Sequence, residues 1–133
     1  MKFMLARAAA VLLLAPAAGC GEGDIRYEPD RAALSTVHPE TARRGAELLL
    51  ATERRADART ARRVTPQAIE FNEGERRYTV PLGAIRPVIA HREGFFEVST
   101  AQGTTFAWRT LEDARIFLDD IEVVRTRGGA APP

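Results

Sequence analysis

Apolar residues enter the chain as one unbroken run, Ala8–Ala15 (AAAVLLLA), preceded by Lys2 and Arg7 and interrupted at Pro16. A helix crossing a bilayer needs about 20 apolar residues, so this run predicts the charged start and short apolar centre of an export signal and not a membrane span. From Pro39 to Arg63 the pattern changes. Ala, Arg, Glu and Leu dominate, all good helix formers, and Ala42, Ala46, Leu49 and Leu50 recur at helical spacing. That spacing predicts a helix over 39–63 with Pro39 in its first turn. Gly45 weakens it by about 1 kcal/mol relative to Ala, and Leu48-Leu49-Leu50 also suits the centre of a strand.

From Thr65 onward the apolar positions fall into short alternating runs. Ala68–Phe71, Arg76–Val80, Val88–His91, Phe95–Thr100 and Thr104–Trp108 predict strands. They are separated by turn signals at Asn72-Glu73-Gly74, Pro81-Leu82-Gly83, Glu93-Gly94 and Ala101-Gln102-Gly103. Period-two spacing puts Phe96 with Val98 on one face of their strand and Phe106 with Trp108 on one face of the next. Such short connections predict an antiparallel meander or a small barrel-like sheet. Thr110 and Asp113 have the Thr-x-x-Asp form of a capping box, and Leu111, Ala114, Phe117, Leu118 and Ile121 share one face of the helix that follows. The fold expected is therefore α+β: a sheet closed by a C-terminal amphipathic helix and preceded by an N-terminal helix. Residues 38–127 form one domain in this reading, residues 20–37 a tether without sustained period, and residues 128–133 a loose tail.

Cys20 is the only cysteine, and it stands directly after the signal-like run. The segment Ala17-Ala18-Gly19-Cys20 resembles the lipobox of bacterial lipoproteins, with Ala17 where that family usually has Leu. The resemblance implies cleavage of the Gly19–Cys20 bond, a signal peptide over 1–19, and lipid on Cys20 as the membrane anchor. Each buried CH₂ contributes about 0.8 kcal/mol, so two or three acyl chains hold firmly where one does not. An ordinary signal cleavage after Ala17 would instead leave Cys20 as a free thiol. In the lipoprotein family an Asp after the cysteine favours retention in the inner membrane. Gly21 stands there, which implies the outer membrane where the host has two.

Loss of residues 1–19 removes Lys2 and Arg7 and leaves 17 Arg against 18 acids, a net charge of about −1. No global field marks the mature chain as a nucleic-acid binder. The strand meander and final helix resemble the pleckstrin-homology-like and GRAM-like bacterial domains over about residues 62–122. The resembling residues are Tyr78-Thr79-Val80-Pro81-Leu82-Gly83-Ala84-Ile85, Gly94-Phe95-Phe96-Glu97-Val98 and Gly103-Thr104-Thr105-Phe106. Those families bind lipids or partner proteins and are not enzymes.

The residues offer little for catalysis. His38 and His91 are the only histidines and show no H-x-x-H spacing, so no metal site is expected. Ser35 and Ser99 lie outside any G-x-S-x-G elbow, and the glycines occur singly at turns, so neither a nucleophile nor a phosphate loop, and no cofactor, is expected. Asp119 and Asp120, with Glu122, form either a carboxylate group with a function or a solvated helix end opposed to the helix dipole. Phe71, Tyr78, Phe95, Phe96, Phe106, Trp108 and Phe117 read as core, with a ligand cavity as the alternative. Arg55, Arg59 and Arg62 share one face if 39–63 is all helix. That face is either solvated or a contact for anionic headgroups or an acidic envelope partner. The expectation is a non-catalytic, lipid-anchored binding domain of the bacterial envelope. The alternative is a carrier of a small hydrophobic ligand between sheet and helix.

Overall fold

The structure, a computed structural model, describes residues 23–128; the signal segment, Cys20 and the tail from residue 129 lie outside the described residues. The chain runs β1 (Gly23–Arg26), α1 (Arg31–Leu34), α2 (Pro39–Leu50), β2 (Thr60–Val64), β3 (Ala68–Glu73), β4 (Arg76–Pro81), a 3₁₀ turn (Leu82–Ala84), β5 (Ile85–Arg92), β6 (Phe95–Thr100), β7 (Thr105–Trp108) and α3 (Leu111–Arg127). The class is α+β, as the periodicity predicts. The strands divide into two antiparallel sheets, ordered β1-β5-β6-β7 and β2-β3-β4, and no closed barrel forms.

The β5–β6 hairpin shows how local sequence fixes register. Arg92 pairs with Phe95, leaving Glu93 and Gly94 as a two-residue turn, and both have positive φ (55° and 82°). Two central residues in the left-handed region make the turn whose twist matches that of the flanking strands. Period two then turns Val98 inward with Phe96 packed beside it, and Phe106 and Trp108 inward on β7. Their rings meet Phe117 of α3 at 5.7 and 4.8 Å between centroids. Phe106 also stacks on Phe71 of β3 at 5.8 Å, so one aromatic core joins the two sheets to the helix. Trp108 Nε1 donates to the Leu49 carbonyl in the last turn of α2 at 2.8 Å, beside the Thr52 N–H and hydroxyl, which donate to the same oxygen at 3.1 Å.

Thr110 caps α3 by accepting from the Asp113 N–H at 3.1 Å. Ala114, Phe117, Leu118 and Ile121 are buried and Leu111 is half-buried, as the stripe predicts. On α2 the stripe differs by one place: Ala42, Ala46 and Leu50 are buried, Leu49 is half-buried, and Leu48 is 70% exposed. Leu48-Leu49-Leu50 is helix and not strand.

Three expectations need correction. Residues 23–37 are not a tether, because β1 pairs with β5 from Gly23↔His91 to Arg26↔Val88. The segment is then strapped to α3: the Tyr27 hydroxyl donates to Asp119, Arg31 pairs with Glu122 at 3.0 Å, and Arg127 donates to the Leu34 carbonyl at 2.7 Å. A four-residue strand is too short for a visible period. The predicted helix also stops at Leu50 and not at Arg63. Residues 51–59 form turns and 60–64 pair with β3, so the good helix formers there are overridden by tertiary contacts. Gly128, assigned to the tail, closes α3 through its N–H to the Val124 carbonyl.

Candidate functional site

The early end of α2 has a direct consequence for the arginines. Without a helix over 51–63, Arg55, Arg59 and Arg62 share no helix face, and Arg59 is only 5% exposed. The expected three-arginine surface is therefore wrong. Arg62 lies in β2 and its side chain is outside the described part of the chain.

The reason lies at β7, the last strand of its sheet. An open strand edge presents unpaired N–H and C=O groups that must be covered. Here the 51–59 segment covers them: the Arg54 N–H donates to the Ala107 carbonyl at 2.8 Å, and the Ala107 N–H donates to Glu53 Oε1 at 3.2 Å. Arg59 donates to the Thr105 carbonyl and pairs with Glu53 at 3.4 Å. Two side chains of opposite charge thus stand in for a neighbouring strand. Burial of a charge pair is tolerable only when most of its hydrogen bonds are made, and here the strand edge supplies one to each side chain.

Beside this buried pair opens a cleft of about 640 Å³ lined by Arg55, Arg59, Glu73, Arg76, Tyr78 and the β6–β7 turn at Gln102-Gly103-Thr104. Its volume falls within the range of about 300–1,000 Å³ usual for ligand sites. Glu73 sits between two guanidinium groups, 3.3 Å from Arg55 and 3.8 Å from Arg76. Arg76 lies over the Tyr78 ring at 4.4 Å, and Tyr78 stacks on Phe71 at 5.4 Å, so the aromatic column of the core holds this arginine in place. Arg59 lies over Phe106 at 4.8 Å, and its Nε is buried with no acceptor among the described residues. With Arg59 compensated by Glu53, the mouth carries two arginines against one carboxylate. The arrangement suits an incoming carboxylate or phosphate, which both guanidinium groups can bond in a fork.

Arg55 and Arg59 come to this cleft from the sequence-derived set. Tyr78 comes from the aromatic set, whereas Arg76 and Glu73 were not singled out, although their signal was legible: Arg76 and Tyr78 are two apart on β4, hence on one face, and Glu73 faces Arg76 across the hairpin.

The other candidates have structural occupations. His38 caps α2, its Nδ1 accepting from the Glu40 N–H at 3.1 Å, and His91 stacks on Phe96 at 4.3 Å. Among the described residues no group of three or more His, Cys, Asp or Glu is placed to hold a metal ion. Asp119 receives the Tyr27 hydroxyl, whose pKa is pushed up by burial and by that carboxylate. Burial pushes Glu122 up as well, but hydrogen bonds from Arg125 and Arg31 outweigh it and hold the carboxyl below its ordinary value. Asp120 has no hydrogen bond or ion pair among the described residues, and burial followed by the Asp119 charge raises it to about 7. These three carboxylates therefore do not act as one group.

Comparison with known proteins finds no matching family model, no similar curated protein and no similar solved structure.

Proposed function

We propose that this chain is exported, anchored to a bacterial membrane by lipid on Cys20, and acts in the envelope as a non-catalytic binding module through its arginine-lined cleft. The single observation that carries the reading is the Arg55–Glu73–Arg76 arrangement at the cleft mouth. It is a partly compensated recognition site for one anionic group on a small molecule or an envelope partner. The succession of three strands, three strands and a closing helix supports the resemblance to pleckstrin-homology-like domains, which are binding modules. The hydrophobic-carrier reading finds less support. Phe106, Trp108 and Phe117 fill the space between sheet and helix, and the groove beside Leu82, Leu118 and Ile121 holds about 210 Å³, below the usual ligand range.

Two measurements test the two halves of the proposal. Cys20→Ala should move the protein out of the detergent phase, and a mature wild-type protein that is soluble with an unmodified thiol would end the anchor reading. For the cleft, Glu73 is a resident competitor for its own arginines. Arg76→Gln should weaken binding of an anionic ligand about tenfold, since a hydrogen bond to a charged group contributes about 1.5–3 kcal/mol. Glu73→Gln should strengthen it. Titration with inorganic phosphate and with a short acidic peptide, read by heteronuclear NMR shifts at Gly103 and Thr104, separates the outcomes. Equal affinities in both variants and wild type would place binding elsewhere.

A further inference from the structure

The correction at β1 places the Cys20 anchor close to the folded domain. Only Gly21 and Glu22 separate Cys20 from β1, so the Cα atoms of Cys20 and Gly23 are at most about 11 Å apart whatever the intervening conformation. Gly23 pairs with His91, and the next residue along β5, Arg92, pairs with Phe95 across the Glu93-Gly94 turn. One end of the four-stranded sheet is therefore held at the anchor. β7 returns to that same end, because Trp108 pairs with Phe96.

The side chains at this end have the composition of a membrane interface. The guanidinium groups of Arg54 and Arg109 both lie against the Phe95 ring, at 5.0 and 4.9 Å from its centroid. Glu97, its side chain 14% exposed, lies under Arg54 and the more exposed Arg92 at 3.4 and 3.7 Å. Aromatic rings flanked by arginine suit the headgroup boundary, where the ring meets acyl chains and the guanidinium meets phosphate.

We infer that the β5–β6 hairpin end, with Arg54 and Arg109 against Phe95, is the surface that rests on the bilayer, and that it fixes the orientation of the domain there. The inference rests on the proposal that Cys20 carries lipid. Arg54, Arg92 and Arg109 are balanced by Glu93, Glu97 and Asp113, so this surface adds orientation and not attachment strength. Its consequence for the cleft is geometric. β6 runs from Phe95 at the bilayer to Thr100, about 17 Å away at about 3.3–3.4 Å per residue, and the β6–β7 turn beyond Thr100 lines the arginine cleft. The cleft then opens toward the aqueous side.

The test uses the full lipidated protein reconstituted in vesicles of phosphatidylethanolamine and phosphatidylglycerol. With Cys20 consumed as a thioether, Glu93→Cys and Gln102→Cys each provide one free thiol for a fluorophore. Both positions are exposed in turns, at opposite ends of β6. Lipids carrying a nitroxide at the headgroup should quench the label at 93 several-fold more than the label at 102. Replacing Arg54, Arg92 and Arg109 by Gln should reduce that difference while the protein stays in the membrane fraction. Intact mass decides which reading fails. Protein with no lipid on Cys20 would overturn the anchor and this surface together, whereas lipidated protein with equal quenching at both positions would overturn the surface alone.

Discussion

The carboxyl group of Asp120 on α3 lies against the backbone of Gly45 on α2, filling the place where a Cβ at residue 45 would stand. Gly45 therefore marks the close approach of two helices and is not simply a weak point in one. Asp120 is held there by packing alone, without a hydrogen bond among the described residues, and the obstruction to a larger residue is the tip of its short side chain. Gly45→Ala should therefore displace the carboxylate toward water and leave the helices in place. The variant gains up to about 1 kcal/mol of helix propensity, and Asp120 should titrate nearer the ordinary carboxylate range. Carboxyl-carbon NMR titration together with a melting curve checks both. A melting temperature several degrees lower, with the Asp120 titration unmoved, would mean that the helices part instead.

Wild-type Asp120 predicts a pH dependence of a particular sign. Its folded pKa is raised from 3.8 to about 7, by burial first and the Asp119 charge second. The folded state thus prefers the protonated carboxyl. Its contribution to stability is complete below the unfolded pKa and is lost as pH rises through about 7. One unit corresponds to about 1.4 kcal/mol, but Asp120 is only half-buried, and solvent screening reduces the net effect to about 1–2 kcal/mol. Asp120→Asn should therefore stabilise the protein at pH 8 and change little at pH 4. Urea midpoints across that range measure it, and parallel curves for the two proteins would contradict it.

The sequence was legible where elements carry their own period. Phe96 with Val98, Phe106 with Trp108, and the Leu111–Ile121 stripe each repeat often enough to declare a face, and five strands and the last helix follow from them. It was illegible where a distant partner decides. In β1 only Ile25 turns partly inward, and the strand exists because β5 has a free edge. Residues 51–59 have helix-forming composition, yet Glu53 and Arg59 are used about 50 residues away to complete β7. Charge counting placed Arg59 on a surface for the same reason: nothing local announces that a strand edge will need it. The cleft was half legible, since Arg76 and Tyr78 alternate on one strand but only the fold brings them opposite Arg55.

Trp108 joins β7 to both helices, and two substitutions separate its contributions. Trp108→Ala removes the ring packed on Phe117 and should cost about 3–5 kcal/mol, a large part of the stability of so small a domain. Trp108→Phe keeps most of the ring and removes one donor to the Leu49 carbonyl, which still accepts from the Thr52 N–H and hydroxyl, and should cost about 0.5–1.5 kcal/mol. Thermal unfolding by circular dichroism distinguishes them. An alanine variant melting near the wild-type temperature would show that the ring is not part of the core.

Glu53 and Arg59 offer the sharpest test of how the β7 edge is closed, because each bonds the strand and also its partner. Glu53→Gln keeps an acceptor for the Ala107 N–H but leaves the Arg59 guanidinium buried without a counter-charge. Breaking one side of such a pair costs about 3–5 kcal/mol, most of it from the stranded charge. Arg59→Gln strands the carboxylate in the same way and removes the donor to the Thr105 carbonyl. The double variant Glu53→Gln with Arg59→Gln strands neither charge and retains amide groups able to bond the edge. It should therefore be more stable than the sum of the single losses predicts, by about 1–3 kcal/mol of coupling energy. Chemical unfolding of the four proteins gives that coupling directly. Light scattering adds an independent readout, because a stranded charge should drive the 51–59 segment off the β7 edge, so the single variants should self-associate more than the double variant. Additive losses, with no difference in association, would mean that the two residues act separately and that the β7 edge does not depend on their pairing.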